Sequence, residues 1–210
     1  MLGKVNDAAR MATRAAALTL ALVSAAATPA ALAHAADSGD IAANAASAAL
    51  DDVGGASGAS VKAGFLYKFL GYVDFPAGPL DPGAPYVVGG VGADDIAAEL
   101  TRLTAGRLIN NHAVVVRQLQ GADPAGGLHL LFIGAQDGAD EAALVRAVQP
   151  AGVLTVTESA TGIESGSVIN FRLVDDRVRF DVSLAAAERA RVKLSSRLLS
   201  VAYTVQKGDG

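Results

Sequence analysis

The sequence has no cysteine. That excludes disulfides, thiolate metal sites, thiol nucleophiles and redox control through disulfide exchange. Histidine is scarce, with His34, His112 and His129 the only three. Basic residues number 17 against 21 acidic ones, for a net charge of −4, and they are scattered. Nothing here forms the clustered positive footprint that draws a protein to a nucleic-acid backbone. Beyond the N-terminal segment, no apolar run approaches the roughly 20 residues a membrane-spanning helix needs. There is also no internal repeat.

What is present begins with "MLGKVNDAARMATRAAALTLALVSAAATPAALAHAADSGD". Lys4, Arg10 and Arg14 flank an apolar run from Ala15 to Ala27, and Ala33-His34-Ala35 offers a small-x-small cleavage site. This pattern predicts a secretory signal over residues 1–35, with an uncleaved anchor as the alternative. Met11 offers a second start, since Arg14 would keep the charge ahead of the apolar core. Residues 36–59 are small, polar and rich in Ala, Gly and Ser, and too poor in bulky apolar groups to offset the entropy of ordering. They read as a flexible leader. One domain is expected over 60–205, with a disordered tail at 206–210. A secreted chain without disulfides has the bacterial periplasm as its natural address.

"SVKAGFLYKFLGYVDFP" predicts a helix capped by Ser60 and ended by Pro76, with Val61, Phe65, Phe69 and Tyr72 on one face. "YVVGGVG" reads as a buried strand, and "ADDIAAELTRLTAGR" as an amphipathic helix burying Ile96, Leu100 and Leu103. "HAVVVRQL", "LHLLFIGA" and "GVLTVTE" read as strands, and "DEAALVRAV" as a helix. "SVINFRLVDDRVRFDVSL" predicts an antiparallel hairpin turning at Asp175-Asp176, at one edge of the sheet. Two helices close the chain, the last with a stripe of Leu194, Leu198, Val201 and Val205. The expected fold is α/β: a mainly parallel sheet with helices on both faces, then a C-terminal antiparallel hairpin followed by two helices.

Several signals invite a catalytic reading. Ser195 and Ser196 lie in no strained G-x-S-x-G turn and have no evident base, so a helix cap explains them better. Leu194 and Leu199 then stand at hydrophobic-staple spacing. "GGVGADD" supplies Gly90 and Gly92 of a dinucleotide loop, but Asp95 replaces the third glycine, and two carboxylates would repel a pyrophosphate. His112 and His129 have no partner at ligand spacing and read as structural. Asp181, Glu188 and nearby arginines read as surface pairs. No catalytic, cofactor or metal constellation emerges. The residues point to a protein that acts by binding another protein, a small ligand, or both.

The C-terminal stretch "RVRFDVSLAAAERARVKLSSRLLSVAYTV" resembles the close of the YfiR family, also called YfiR/HmsC or DUF4154. "VKAGFLYKFLGYVDFP" resembles that family's opening helix with its aromatic-Pro pair, here Phe75-Pro76. "GRLINNHAVVVRQL", "LHLLFIG", "VLTVTE" and "GSVINFRLVDDRVRF" follow in the family's order. The resemblance implies a periplasmic inhibitor that holds an inner-membrane diguanylate cyclase inactive through the cyclase's periplasmic sensor portion. It would thereby lower cyclic-di-GMP and biofilm formation. It further implies release through an outer-membrane lipoprotein, and a homodimer. Two departures stand out: the cysteine pairs of some members are missing, and Ser165 precedes Gly166 where a glycine pair is usual. Partner contact is expected at the hairpin region, through Ile163, Glu164, Phe171, Arg172 and Arg179. The alternative places Phe171 in the core and the charges in solvent. A small-ligand sensor would carry a pocket at the carboxyl ends of the strands. A hydrolase is the least supported class.

Overall fold

The computed structural model describes residues 58–78, 80–120, 126–134 and 138–208. The expected signal segment, and the leader up to residue 57, lie outside the described residues.

The first helix, α1 (Gly58–Gly71), starts two residues before Ser60. Ser60 is therefore not its cap: its hydroxyl donates to Glu99 Oε2 at 2.7 Å. The buried stripe also differs from the expected one. Ala63, Leu66, Phe69 and Leu70 are buried, while Val61, Phe65 and Tyr72 are only partly covered. The helix ends at Gly71 and not at Pro76, because Val73–Asp74 form a short strand, β1.

There follow β2 (Tyr86–Val91), α2 (Asp94–Thr104), β3 (Val114–Gln118), β4 (Leu130–Ile133), α3 (Gly138–Val148), β5 (Leu154–Thr157), β6 (Ile169–Val174) and β7 (Arg177–Ser183). The chain continues through α4 (Leu184–Arg189), β8 (Lys193–Leu194), α5 (Ser196–Ser200) and β9 (Thr204–Gln206). The main sheet has the order β3-β2-β4-β5-β6-β7-β9. It is parallel from β3 to β6, antiparallel between β6 and β7, and parallel again between β7 and β9.

Alternation along the strands divides the core. Val88, Leu130, Phe132, Leu154, Val156, Ile169, Phe171, Phe180 and Val182 face α1 and α2. Val87, Val91, Leu131 and Ile133 face α3, where Val145 and Val148 meet them. A strand covered on both sides must be apolar on both, which explains the uninterrupted runs in β2 and β4. On the α1 side, Phe65 and Phe69 pack against Phe171 and Phe180, with ring centroids 5.0–6.0 Å apart.

The hairpin forms as expected. Val174 pairs with Arg177, and Asp175 and Asp176 both adopt positive φ, 49° and 60°. That is the two-residue turn matching a right-twisted strand pair. Its position needs correction. The hairpin is not the sheet edge, because β9 pairs with β7 on the outside. Val205 accordingly belongs to a strand, not to a helical stripe. The last helix is only five residues long.

β1 and β8 form a separate antiparallel clip, Val73 opposite Leu194 and Asp74 opposite Lys193. The Ser195 amide extends it by donating to Tyr72 O at 3.0 Å. The clip ties the end of α1 to the start of α5.

Candidate functional site

The clip sets α1, β7 and α5 around one surface groove. α1 contributes Phe65, Lys68, Phe69 and Tyr72, β7 contributes Arg179 and Phe180, and α5 contributes Arg197 and Leu198. Val201 closes the far side, and the pocket encloses about 60 Å³. Its floor is apolar and its rim carries three cations. An adjoining, wider depression of about 540 Å³ is formed by Val174, Asp175, Arg177, Arg179 and the turn Val201–Tyr203. Arg179 and Val201 line both, so the two run together.

This end of the molecule also exposes apolar side chains. Leu173 is 68% exposed, Tyr203 54% and Val201 50%. Isolated exposed leucines need no explanation. Three large side chains interleaved with Arg172, Arg177, Arg179 and Arg197 match the composition of binding surfaces, where Tyr and Arg are enriched.

Arg172 is held in place there. Its Nη1 donates to Asp181 Oδ2 at 2.9 Å, and its guanidinium lies 5.4 Å from the centre of the Tyr203 ring. The cation–π contact is worth about 0.5–1 kcal/mol at an exposed site. Asp181 is no surface residue as expected from sequence. It is 6% exposed, and its Oδ1 has neither hydrogen-bond partner nor solvent.

The structure divides the five residues expected at a partner contact. Arg172 and Arg179 face each other in register on the hairpin; Arg179 lines both depressions, and Arg172 meets Tyr203, which lines the wider one. Phe171 is 2% exposed and belongs to the core beneath α1, which corrects its assignment to the contact. On the pleated strand Phe171 turns into the core, while its neighbour Arg172 turns out to the Tyr203 ring. Ile163 and Glu164 lie in the loop between β5 and β6. Ile163 is half-buried, Glu164 is exposed, and neither lines the groove. Sequence reasoning missed Lys68, Leu173, Arg177, Arg197 and Tyr203. The only signal was aromatic and basic residues at the ends of two elements, and it names no shared surface.

A second cleft, of about 740 Å³, opens at the amino ends of β2 and β4. His112 and His129 both line it, each edge-on to Tyr86 at 5.7 and 5.4 Å. His129 Nδ1 accepts from the Val87 amide at 3.0 Å. His112 Nδ1 lies 2.7 Å from Ala84 O, a carbonyl that can only accept. The two imidazoles thus hold opposite tautomers when neutral, with Nε2 protonated on His129 and bare on His112. Burial holds the His129 pKa below the usual histidine range. The cleft stands at the opposite end of the sheet from the carboxyl-end pocket expected of a ligand sensor.

The serines resolve plainly. Ser195 Oγ accepts from the Leu198 amide at 3.2 Å and caps α5, while Ser196 is exposed in its first turn. Ser183 caps α4 the same way, accepting from the Ala186 amide. The glycine loop is also structural. A Cβ on Gly134 would stand 2.1 Å from Gly92 O, so the loops after β2 and β4 touch backbone to backbone.

A model of the family described as YfiR/HmsC-like (DUF4154) matches residues 59–203. No curated protein matches the sequence. Among solved structures, a conserved domain protein from Vibrio cholerae O1 biovar El Tor str. N16961 is similar at 11% identity and a TM-score of 0.47. The match covers 71% of this chain and 60% of that one.

Proposed function

The chain belongs to the YfiR/HmsC-like family, and from that premise we propose that it is a periplasmic regulatory binding protein. Its target is the periplasmic sensor portion of an inner-membrane diguanylate cyclase, which it holds in the inactive state. The outcome is less cyclic-di-GMP and less biofilm. Release passes to an outer-membrane lipoprotein that competes for the inhibitor, and the inhibitor works as a homodimer. No step requires bond chemistry by its own side chains. Among the described residues, no helix is long and apolar enough to cross a membrane.

One observation supports this reading most: Leu173, Val201 and Tyr203 stand exposed among arginines on a chain whose net charge is −4. Such a surface suits an acidic, partly apolar partner. Inhibition needs only tighter binding to the off-state sensor than to the on-state one. Moving a population from almost wholly on to almost wholly off takes about 5.5 kcal/mol of that difference, within reach of an ordinary interface. The test is deletion of the gene, with cyclic-di-GMP measured in several growth conditions. A rise reversed by the wild-type gene is expected, and unchanged levels throughout would sink the proposal.

The histidine cleft favours a second reading, a small-ligand sensor. A thermal-shift screen against metabolites separates the two. A metabolite whose stabilisation is abolished by His112→Ala favours the sensor, and no stabilisation by any of them removes it.

A further inference from the structure

The cleft at the amino ends of β2 and β4 has the size of a small-molecule site: about 740 Å³, where such sites occupy roughly 300–1,000 Å³. Its charge is one-sided. Asp74 and Asp81 line it, and among the described residues no Lys or Arg does. Lys193 stands opposite Asp74 in the clip, yet neither carboxylate is in an ion pair among the described residues.

Tyr86 adds an independent sign of a ligand. It is 7% exposed and lines the cleft, its ring edge-on to both imidazoles. Its hydroxyl has no hydrogen-bond partner among the described residues and is not shut off from solvent, so it is left to the cleft. A side chain so enclosed ordinarily has its polar atom paired. The histidines are half-satisfied in the same way. Each commits Nδ1 to the backbone, which leaves an N–H on His129 Nε2 and a lone pair on His112 Nε2 when the rings are neutral. Burial favours the neutral form of His129, which then adds no positive charge beside the carboxylates.

We propose that this cleft binds a small organic cation, a protonated amine with an apolar or aromatic body. Asp74 and Asp81 supply the countercharge, the Tyr86 oxygen and His112 Nε2 accept from the ammonium, and Phe75 with Tyr86 walls the body. Aromatic rings add to this, since their faces attract cations.

An amine fits better than a metal ion. A metal held by both Nε2 atoms would have to displace the proton of His129, whose Nδ1 already takes the Val87 amide. Among the described residues, no three His, Asp or Glu side chains gather at metal-binding distance. The assignment rests on the ligand-sensing reading of this cleft and gives it a chemical class. It is independent of the partner surface around Tyr203.

The experiment is calorimetric titration of the purified protein at neutral pH with three probes of one shape: phenethylamine, 2-phenylethanol and phenylacetate. Tyramine and putrescine extend the amine arm. An amine should bind one per chain, at least about tenfold tighter than the neutral and anionic probes. The Asp74→Asn, Asp81→Asn double variant should lose that preference. Tyr86→Phe, which keeps the ring, should weaken the amine about threefold to tenfold. Tyr203→Ala, at the groove, should bind it as wild type does. Both carboxylates are exposed, and a melting temperature without ligand close to wild type's checks that the double variant folds. If it does not, Asp81→Asn alone carries the test. Silence of all three amines, equal binding of the phenethyl probes, or amine binding untouched by the carboxylate variants would each overturn the proposal. So would amine binding abolished by Tyr203→Ala, which places the amine in the groove, or stabilisation by Zn²⁺ alone with the amines inert. The ligand-sensing reading fails separately. It survives if a neutral or anionic metabolite stabilises the protein through His112 while the amines do not, and it falls if no metabolite does.

Discussion

Arg172 and Asp181 stand diagonally across the hairpin, and among the described residues the guanidinium is the one side-chain partner of a carboxylate that is otherwise shut in. Asp181 lies opposite Asn170 in register, and Arg172 reaches over from the next same-face position to donate at 2.9 Å. Removing the arginine strands that charge. Arg172→Ala should destabilise the domain by about 2 kcal/mol, less than a fully buried pair because the arginine is itself 47% exposed. Arg172→Ala combined with Asp181→Asn should recover part of the loss. Urea unfolding of the three variants measures both, and an Arg172→Ala midpoint equal to wild type would show the pair to be idle.

Surface and core separate cleanly at neighbouring residues. Phe171→Ala should cost about 3–5 kcal/mol, since it empties space among the rings of Phe65, Phe69 and Phe132. Tyr203→Ala, which loses the ring contact with Arg172, and Val201→Ser should lower the melting temperature by no more than about 4 °C and weaken sensor-domain binding about tenfold or more. Calorimetric titration beside thermal melts decides it. Full binding by the Tyr203→Ala, Val201→Ser double variant would move the contact elsewhere.

The paired serines should behave differently. Ser195→Ala loses the cap that accepts from Leu198 and should cost about 1 kcal/mol. Ser196→Ala should fall within about 0.5 kcal/mol of wild type, as exposed substitutions usually do. Denaturant midpoints for the two variants give the comparison.

His129 makes stability depend on pH. Its folded pKa is depressed by burial, so the unfolded chain binds its proton more readily. Stability from the neutral ring is fully present above the unfolded value of about 6.5 and is lost as pH falls below it towards the folded pKa. Protonation also ends acceptance from the Val87 amide. His129→Asn offers an oxygen near the Nδ1 position and does not titrate. Its melting temperature should fall less than wild type's between pH 7.5 and 5.5, and parallel curves would remove His129 as the cause.

Gly134→Ala should be severely destabilising, about 3 kcal/mol or more, because its Cβ meets the Gly92 carbonyl, which cannot rotate away. A cell-free or refolding yield equal to wild type would show that the two loops can part.

Much of the architecture was legible because it depends on local pattern. The apolar runs of β2, β4 and β5 and the Asp-Asp turn each carry their own signature. What escaped depends on distant pairing. Nothing in "SVAYTV" distinguishes a helical stripe from a turn and a strand, because the choice is made by the open edge of β7 that Thr204–Gln206 cover. Likewise, the sequence does not decide which side of α1 is most deeply buried, because Leu66 and Leu70 compete with Phe65 and Tyr72, and the sheet chooses between them. Of the residues around the groove and its rim, Arg172 and Arg179 were legible as outward-facing from hairpin alternation. Tyr203, Lys68 and Arg197 were not, since the clip between Val73 and Leu194 brings α1 and α5 together and the pairing of β9 with β7 brings Tyr203 to them.

Synthesis proceeds from the amino end, so β7 emerges before the three residues that seal its flank. Until Thr204–Gln206 arrive, the sheet ends in a row of unsatisfied amides and carbonyls, an invitation to any other extended chain. Thr204–Gln206 therefore act as a safety latch for the nascent molecule. A truncation that clips them is expected to cause trouble by making copies stick to one another long before it abolishes the fold.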